Sequence, residues 1–540
     1  MKIFFEEFKT PFKTLPFGKW KIEDYLPAVK KAMRLAKERI EVLKNSSKKA
    51  DFDHFLSPYL ESTKELDLIS RTFFNLHSAH TCNEMEKAAG ELSPLLSAFS
   101  NDLFLDAKIF EQLKMTYDKR EEGRKLTVEE KTILEDEYKT FVRNGALLSE
   151  EKKRALREVD EQLAKLQVQF GKNALKAKNQ YVMPVTKDDL DGIPEDNLEI
   201  FRNVAKEKGL SGHAVTFDFS VYMPFMQGCK KRALREKVYT DYVQSATDGE
   251  FDNRSICKDM ISLRKKRAGI LGYPDHATFV LERRMAESSQ EVMDFLDEFK
   301  AKALKKAQDE MKELSAFAKE MDSIDRLMPW DFYFYSEKYK KQLFDFDDDT
   351  LRPYFPLESV VQGVFETALR LYGIRFKENN EIPTYHQDVT AYEVWDDRTS
   401  KICGIFYADF FPRSSKRQGA WMCNYRKQSQ EQIPHVAIVC NFTKPVKDRP
   451  SLLTHGEVLT LFHEFGHALH GLLSKCRYSA LSGPQVYWDF VELPSQLMEN
   501  WAFEKECLDI FAKHYKTKET IPRSLLKKIK ESQSFFEGHA

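Results

Sequence analysis

Two histidines and a glutamate in the stretch THGEVLTLFHEFGHALHG, residues 454–471, have the spacing of a metal site. His463 and His467 are four residues apart, so on a helix both imidazoles lie on one face and can reach one small ion. Glu464 lies about 100° around the helix from His463, beside such an ion rather than on it. This HExxH pattern predicts a zinc site, although two histidines on a packed helix face could share the spacing by chance.

Zinc needs a third protein ligand, and a catalytic site leaves the fourth position to water. His470 is displaced by about 10 Å along the helix axis from His463, too far to share a tetrahedral ion with it comfortably. Downstream, the segment DFVELPSQLMENWAFE offers Asp489, Glu492 and Glu499 as oxygen ligands. Glu492 could equally cap the helix that follows it. Asp489 or Glu499 could instead orient a ligand imidazole through a hydrogen bond.

The stretch that carries the histidines is itself predicted to be helical. Thr454, followed three residues later by Glu457, predicts a capping box at the start of the helix. Apolar residues at helical spacing then supply a face for packing against a core. They are Val458, Leu459, Leu461, Phe462, Phe465, Ala468, Leu469 and Leu472.

The block TLFHEFGHALHG, followed by SGPQVYWDFVELPSQLMENWA, resembles the zinc oligopeptidase family, peptidase family M3, which includes thimet oligopeptidase, neurolysin, oligopeptidase A and bacterial dipeptidyl carboxypeptidases. Two separate motifs agree in sequence and in mutual spacing, and the likeness extends over nearly the whole chain. The resemblance implies that His463, His467 and Glu492 hold one zinc ion per chain, with Glu464 as general base. It implies a metallopeptidase that hydrolyses short peptides, as an endopeptidase or as a dipeptidyl carboxypeptidase.

Two other functions stay open on the sequence alone. One is a helical scaffold in which the HExxH motif holds a structural zinc, with Cys476 or His470 closing the fourth position. The other is a catalytically impaired relative that binds peptides without cutting them.

The resemblance implies a mainly α, two-lobed body of the zincin type, and the helical pattern from Lys21 onward agrees with it. The pattern is clearest from Ser149 to Lys176, where apolar residues step by three and four along a helix–helix seam. They are Leu156, Val159, Leu163, Leu166 and Phe170. The seam lasts only about two heptads, so we expect an internal helix pair rather than a dimerising coiled coil, and a monomer.

Between residues 391 and 442 the pattern changes to short segments rich in β-branched and aromatic residues. AYEVW, CGIFYADFF, GAWMCNY and HVAIVCNF predict a small antiparallel sheet next to the metal-binding helix. An edge strand of this sheet could hold an extended peptide by backbone hydrogen bonds. Alternatively, the sheet only covers the helix.

Composition limits the partners. The 84 basic and 85 acidic side chains leave a net charge of −1, which predicts neither nucleic acid nor a membrane surface as a partner. The eight cysteines are scattered without CxxC pairs, and there is no membrane-spanning run. We therefore expect free thiols and a cytoplasmic protein.

The chain has no low-complexity linker to mark a domain boundary. We divide it into an N-terminal helical region, 1–210, and a zinc peptidase catalytic region, 211–540. Family members continue beyond the final SQSFFEGHA into a segment rich in glycine and tyrosine that this chain does not match. We therefore expect the catalytic region to be incomplete at its C-terminus and the apolar Leu525, Leu526, Ile529 and Phe535 to be uncovered.

Overall fold

The computed structural model describes residues 2–46, 50–344, 350–445, 449–532 and 535–539, with the backbone alone for residues 195–197. Helices dominate these ranges: α1 Ile22–Lys44, α2 Ser57–Ser62, α3 Lys64–Ala79, α4 Asn83–Phe104, α5 Ala107–Asp118, α6 Val128–Arg143, α7 Glu150–Gln180, α8 Glu195–Glu207, α9 Phe219–Gly228, α10 Arg232–Val243, α11 Arg254–Ile270, α12 His276–Leu281, α13 Ser289–Asp322, α14 Phe332–Phe344, α15 Leu357–Tyr372, α16 His455–Leu472, α17 Leu493–Glu499, α18 Lys505–Phe511 and α19 Arg523–Ser532. The strands are β1 Met183–Val185, β2 His213–Val215, β3 Ile374–Glu378, β4 Val389–Asp396, β5 Lys401–Asp409, β6 Trp421–Arg426 and β7 His435–Val439. Within the same ranges, no helix is long and apolar enough to cross a membrane.

The mainly α fold with a small sheet is confirmed. The four strands predicted between residues 391 and 442 are β4 to β7, and the sheet has the order β3-β4-β5-β7-β6. Its pairings are antiparallel, as expected, except that β7 runs parallel to β5. After β5 the chain forms β6 at the edge of the sheet and then returns, so that β7 lies between β5 and β6. Strand β7 is antiparallel to β6 and therefore runs in the direction of β5. Strand β3 was not predicted.

The sheet lies between two hydrophobic cores. In β5, Ile405 and Tyr407 pack with residues of α1 to α6, while Phe406 and Ala408 pack with α15 and α16. Successive side chains of a strand point to opposite faces, so this alternation covers both faces of the sheet. That explains why β5 and β7 are apolar at nearly every position rather than at every second one.

Helix α7 contains the predicted seam and packs against α4 and α11 of the same chain. Leu156, Val159 and Leu163 are buried, whereas Phe170, at the far end of the seam, is exposed. The prediction of an internal helix pair is confirmed.

The C-terminal stretch lies partly outside the described residues, which exclude Gln533, Ser534 and Ala540. Leu526 and Ile529 are buried in the core around α15 and α16. The expectation that these side chains would be uncovered is therefore wrong, because α19 turns them towards that core.

We expect Phe406→Ala to destabilise the catalytic core. The Phe406 ring is 1% exposed and lies 5.7 Å from the Phe376 ring centroid and 5.8 Å from that of Phe465. Truncating such a ring should lower the free energy of unfolding by about 3–5 kcal/mol, measured by urea denaturation. Val128→Ala, at a side chain that is 83% exposed, is the control and should change it by less than about 0.5 kcal/mol. Equal stabilities of the two variants would contradict this description of the core.

Candidate metal centre

Helix α16 carries both histidines and begins at the predicted capping box. Thr454 Oγ1 accepts the Glu457 N–H at 3.0 Å, and Glu457 Oε2 accepts the Thr454 N–H at 2.8 Å. The other Glu457 oxygen accepts the Thr443 N–H at 2.8 Å, which ties the start of the helix to the chain leaving the sheet. The apolar face of α16 packs on β5 and β7. The helix is therefore fixed in rotation, with its histidines on the side away from that face.

The two imidazoles meet a single carboxylate oxygen. Glu492 Oε2 lies 3.1 Å from His463 Nε2 and 3.0 Å from His467 Nε2. One ligand atom from each of the three residues lies within 4.8 Å of the others. Tetrahedral zinc with bonds of about 2.0–2.1 Å separates its ligand atoms by about 3.3 Å, so the three atoms stand close to the spacing that zinc requires.

Glu492, the expected third ligand, comes from the turn before α17, which approaches α16 very closely at Gly466. A Cβ atom at this position would lie 2.5 Å from the Pro494 carbonyl oxygen and 2.6 Å from Ser495 Cα, which no side chain can occupy. Glycine is therefore required for α17 to come near enough to place Glu492 beside the histidines.

A buried hydroxyl holds the Glu492 carboxylate. Ser495 is fully buried, and its Oγ donates to Glu492 Oε2 at 2.8 Å. Burial opposes ionisation of Glu492, but the Ser495 hydrogen bond and the neighbouring histidines outweigh it and lower the pKa of the carboxyl below its ordinary value. The residue is thus kept in the anionic form that a metal ligand needs. For His467, burial lowers the pKa and favours the neutral, ligating imidazole.

Of the two carboxylates expected to orient an imidazole, only Glu499 does so. Glu499 Oε1 lies 2.6 Å from His463 Nδ1, the nitrogen that faces away from the ligand cluster. Such a contact fixes the ring and leaves Nε2 with a lone pair for a metal. Asp489, the alternative considered for either role, lies outside the cluster. Its carboxylate accepts backbone N–H groups from a distant segment instead.

Glu464 lies beside the cluster and is buried, with 5% of its surface exposed. Its Oε2 has no hydrogen-bond partner among the described residues. Burial raises the pKa of this carboxyl to about 7, an effect that His463 opposes and Glu492 reinforces. A carboxyl with a pKa near neutrality is suited to accept and return a proton.

Neither residue considered for closing a structural site joins the cluster. Within the described ranges, the group that could hold a metal consists of His463, His467 and Glu492. Cys476 Sγ donates to the Leu481 carbonyl at 3.3 Å. His470 lies further along the helix. Among the described residues, the cluster therefore offers three ligand atoms, and a catalytic zinc site uses three protein ligands.

Ser495 and Gly466 were missed by the sequence reasoning. Both lie inside the quoted motifs, and the small residue within HEFGH was the only local signal of a close helix contact.

Comparison with known proteins decides the family. The model of peptidase family M3 matches residues 225–540, more than half of the chain. The chain belongs to peptidase family M3. It is 35% identical to Oligopeptidase A of Escherichia coli over 97% of this chain and 79% of the relative. It is 31% identical to Dipeptidyl carboxypeptidase of E. coli over 100% of this chain and 80% of the relative. It is 30% identical to Probable cytosolic oligopeptidase A of Arabidopsis thaliana over 97% of this chain and 77% of the relative.

Family membership makes this protein a metallopeptidase, and the resemblance carried by the two motifs is confirmed.

We expect Gly466→Ala to disrupt the centre. The added methyl group must push α17 away, which should cost about 1–3 kcal/mol of stability and weaken Zn²⁺ binding measured by calorimetry. Gly456→Ala on the same helix is the control, because a Cβ there meets only Thr454 Oγ1, at 3.8 Å. That variant should bind Zn²⁺ normally and be slightly more stable, by up to about 1 kcal/mol. Normal Zn²⁺ binding by Gly466→Ala would contradict the role of this contact.

Proposed function

We propose that this family M3 peptidase is a zinc enzyme that hydrolyses peptide bonds in short peptides. One zinc ion would be held by His463, His467 and Glu492, with Glu464 as general base. The observation that carries the proposal is the meeting of both histidine Nε2 atoms with one Glu492 oxygen, at 3.1 and 3.0 Å, beside a buried carboxyl. The donor set of two imidazoles and a carboxylate, with an open fourth position, suits catalytic zinc.

When bound, zinc would acidify a water molecule and polarise the scissile carbonyl. Glu464 would accept the proton of the attacking water and deliver it to the nitrogen of the leaving amine. Glu499 would hold the His463 ring in one orientation through Nδ1, and Ser495 would hold the Glu492 carboxylate.

We propose that the first half of edge strand β6 pairs with the extended peptide. The side-chain amide of Asn75 on α3 donates to the Asn424 carbonyl at 3.0 Å, so the backbone groups of Asn424 point away from β7. Backbone direction alternates along a strand, so those of Met422, two positions earlier, also point away from β7. In the described part of the chain, the Met422 backbone has no partner on that edge. The sheet also covers α16, so the two functions considered for it are compatible.

We also propose that the enzyme acts in the cytoplasm as a monomer. All eight cysteines are free, and one relative is named a probable cytosolic oligopeptidase. The internal seam of α7 leaves no need for a partner helix.

Glu464→Gln tests the general base. The variant should keep one zinc ion per chain, because no ligand is lost, while turnover of a quenched-fluorescence peptide falls by about 10²–10⁴-fold. Zinc is measured by atomic emission on the same samples. Glu506→Gln, at an exposed position on α18, is the matched control and should retain full activity. Loss of zinc from Glu464→Gln would contradict the role of Glu464 as general base. A wild-type chain that binds zinc and peptide without turnover would instead establish the alternative function, a relative that binds peptides without cutting them.

Glu492→Ala and Glu499→Ala test the choice of third ligand. Glu492→Ala should lose zinc during dialysis against a weak chelator. Glu499→Ala should keep it with an affinity about 10 to 100-fold lower, because only the support of His463 is removed. If Glu499→Ala empties the site while Glu492→Ala retains zinc, the wrong carboxylate has been assigned.

A further inference from the structure

The loop that carries the third ligand, residues 484–492, is held by few contacts; we call it the ligand loop. Residues 485–490 are all exposed, and the Trp488 side chain is 74% exposed, so apolar burial does not fix their position. Lys427 Nζ donates to Gln485 Oε1 at 2.9 Å, and the Arg284 guanidinium lies 6.0 Å from the Trp488 ring centroid. Each contact is made by the tip of one long, half-buried side chain.

Asp489 makes the best-defined contact of the ligand loop. Its Oδ2 accepts the N–H of Met285 at 2.6 Å and the N–H of Ala286 at 3.0 Å. Two successive backbone N–H groups that converge on one carboxylate oxygen form a small anion-binding concavity. Hydrogen bonds to an ionised acceptor are roughly twice as strong as neutral ones. The concavity therefore selects an anionic group at this position of the loop.

The segment that supplies these N–H groups, residues 279–286, is itself anchored to helix α6; we call it the bridge segment. Arg143 Nη2 donates to the Phe279 carbonyl at 2.6 Å. Arg283 Nη1 donates to Thr140 Oγ1 at 2.8 Å. Asp489 thus connects the ligand loop, through the bridge segment, to a packed helix of the N-terminal core.

We propose that Asp489 is a positioning residue for the metal: by holding the ligand loop on the backbone of Met285 and Ala286, it keeps the Glu492 carboxylate where the two histidines meet it. The inference rests on the proposed zinc site. Two backbone hydrogen bonds make a tight turn around the two acidic residues: the Val491 N–H donates to the Tyr487 carbonyl at 3.1 Å across Asp489, and the Leu493 N–H donates to the Phe490 carbonyl at 3.0 Å across Glu492. A displacement of Asp489 is therefore passed on to Glu492 rather than absorbed.

Zinc affinity of the full chain, measured by competition with a chromogenic chelator, tests the proposal. Asp489→Ala should raise the zinc Kd about 10-fold. Asp489→Asn keeps an oxygen acceptor but loses the charge, so its zinc Kd should lie between those of wild type and Asp489→Ala. The matched control is Asp396→Ala, because Asp396 Oδ1 also accepts two backbone N–H groups, from Arg398 at 3.0 Å and Thr399 at 2.8 Å, but at a hairpin far along the chain from the ligands. Its zinc Kd should equal that of wild type.

Amide hydrogen exchange on the wild-type chain gives a second test that needs no variant. If the Asp489 contact strengthens zinc binding, zinc must by linkage strengthen the contact, so the amides of Met285 and Ala286 should exchange more slowly with zinc than without it. Equal exchange in both states, or a zinc Kd for Asp489→Ala equal to that of wild type, would overturn the inference alone. A wild-type chain that binds no zinc would overturn the proposed function together with it.

Discussion

The contact between Gly466 and the backbone at Pro494 is the constraint on which the proposed metal centre depends. A single helix with an HExxH motif can present only two imidazoles to one ion, so the third ligand must come from another segment. A Cβ at position 466 would lie 2.5 Å from the Pro494 oxygen, so only glycine lets that segment close in. The capping box of α16 and its packing on the sheet fix the other half of the arrangement. Residues that are not ligands themselves thus determine whether the three ligand atoms meet.

The surroundings of the ligand cluster explain the protonation states of its carboxyl groups. Glu464, Glu492 and Glu499 all lie within reach of one histidine, His463. Burial raises the pKa of Glu464 to about 7, whereas the Ser495 hydrogen bond and the histidines lower that of Glu492. The two carboxyls are adjacent in space and differ in their partners. One is thereby suited to exchange a proton and the other to remain an anion, which is the division of roles that the proposed hydrolysis requires.

How far the sequence predicts this structure depends on the range of each interaction. The helix of the motif, its cap at Thr454 and four strands were predictable, because periodicity and capping are local. The parallel pairing of β7 with β5 was not, because strand order depends on how distant segments pack. The partner of Asp489 lies about 200 residues earlier in the chain, and no local pattern indicates it. Resemblance to a family supplied Glu492 where spacing alone left three carboxylates open.

Anomalous diffraction at the zinc absorption edge, on crystals of the full chain grown with zinc, tests the central claim most directly. The account predicts one strong peak per chain, bonded to His463 Nε2, His467 Nε2 and a Glu492 oxygen at about 2.0–2.2 Å, with water as the fourth ligand. A peak at another position, or one whose fourth ligand is the sulfur of Cys476 or the ring of His470, would contradict it.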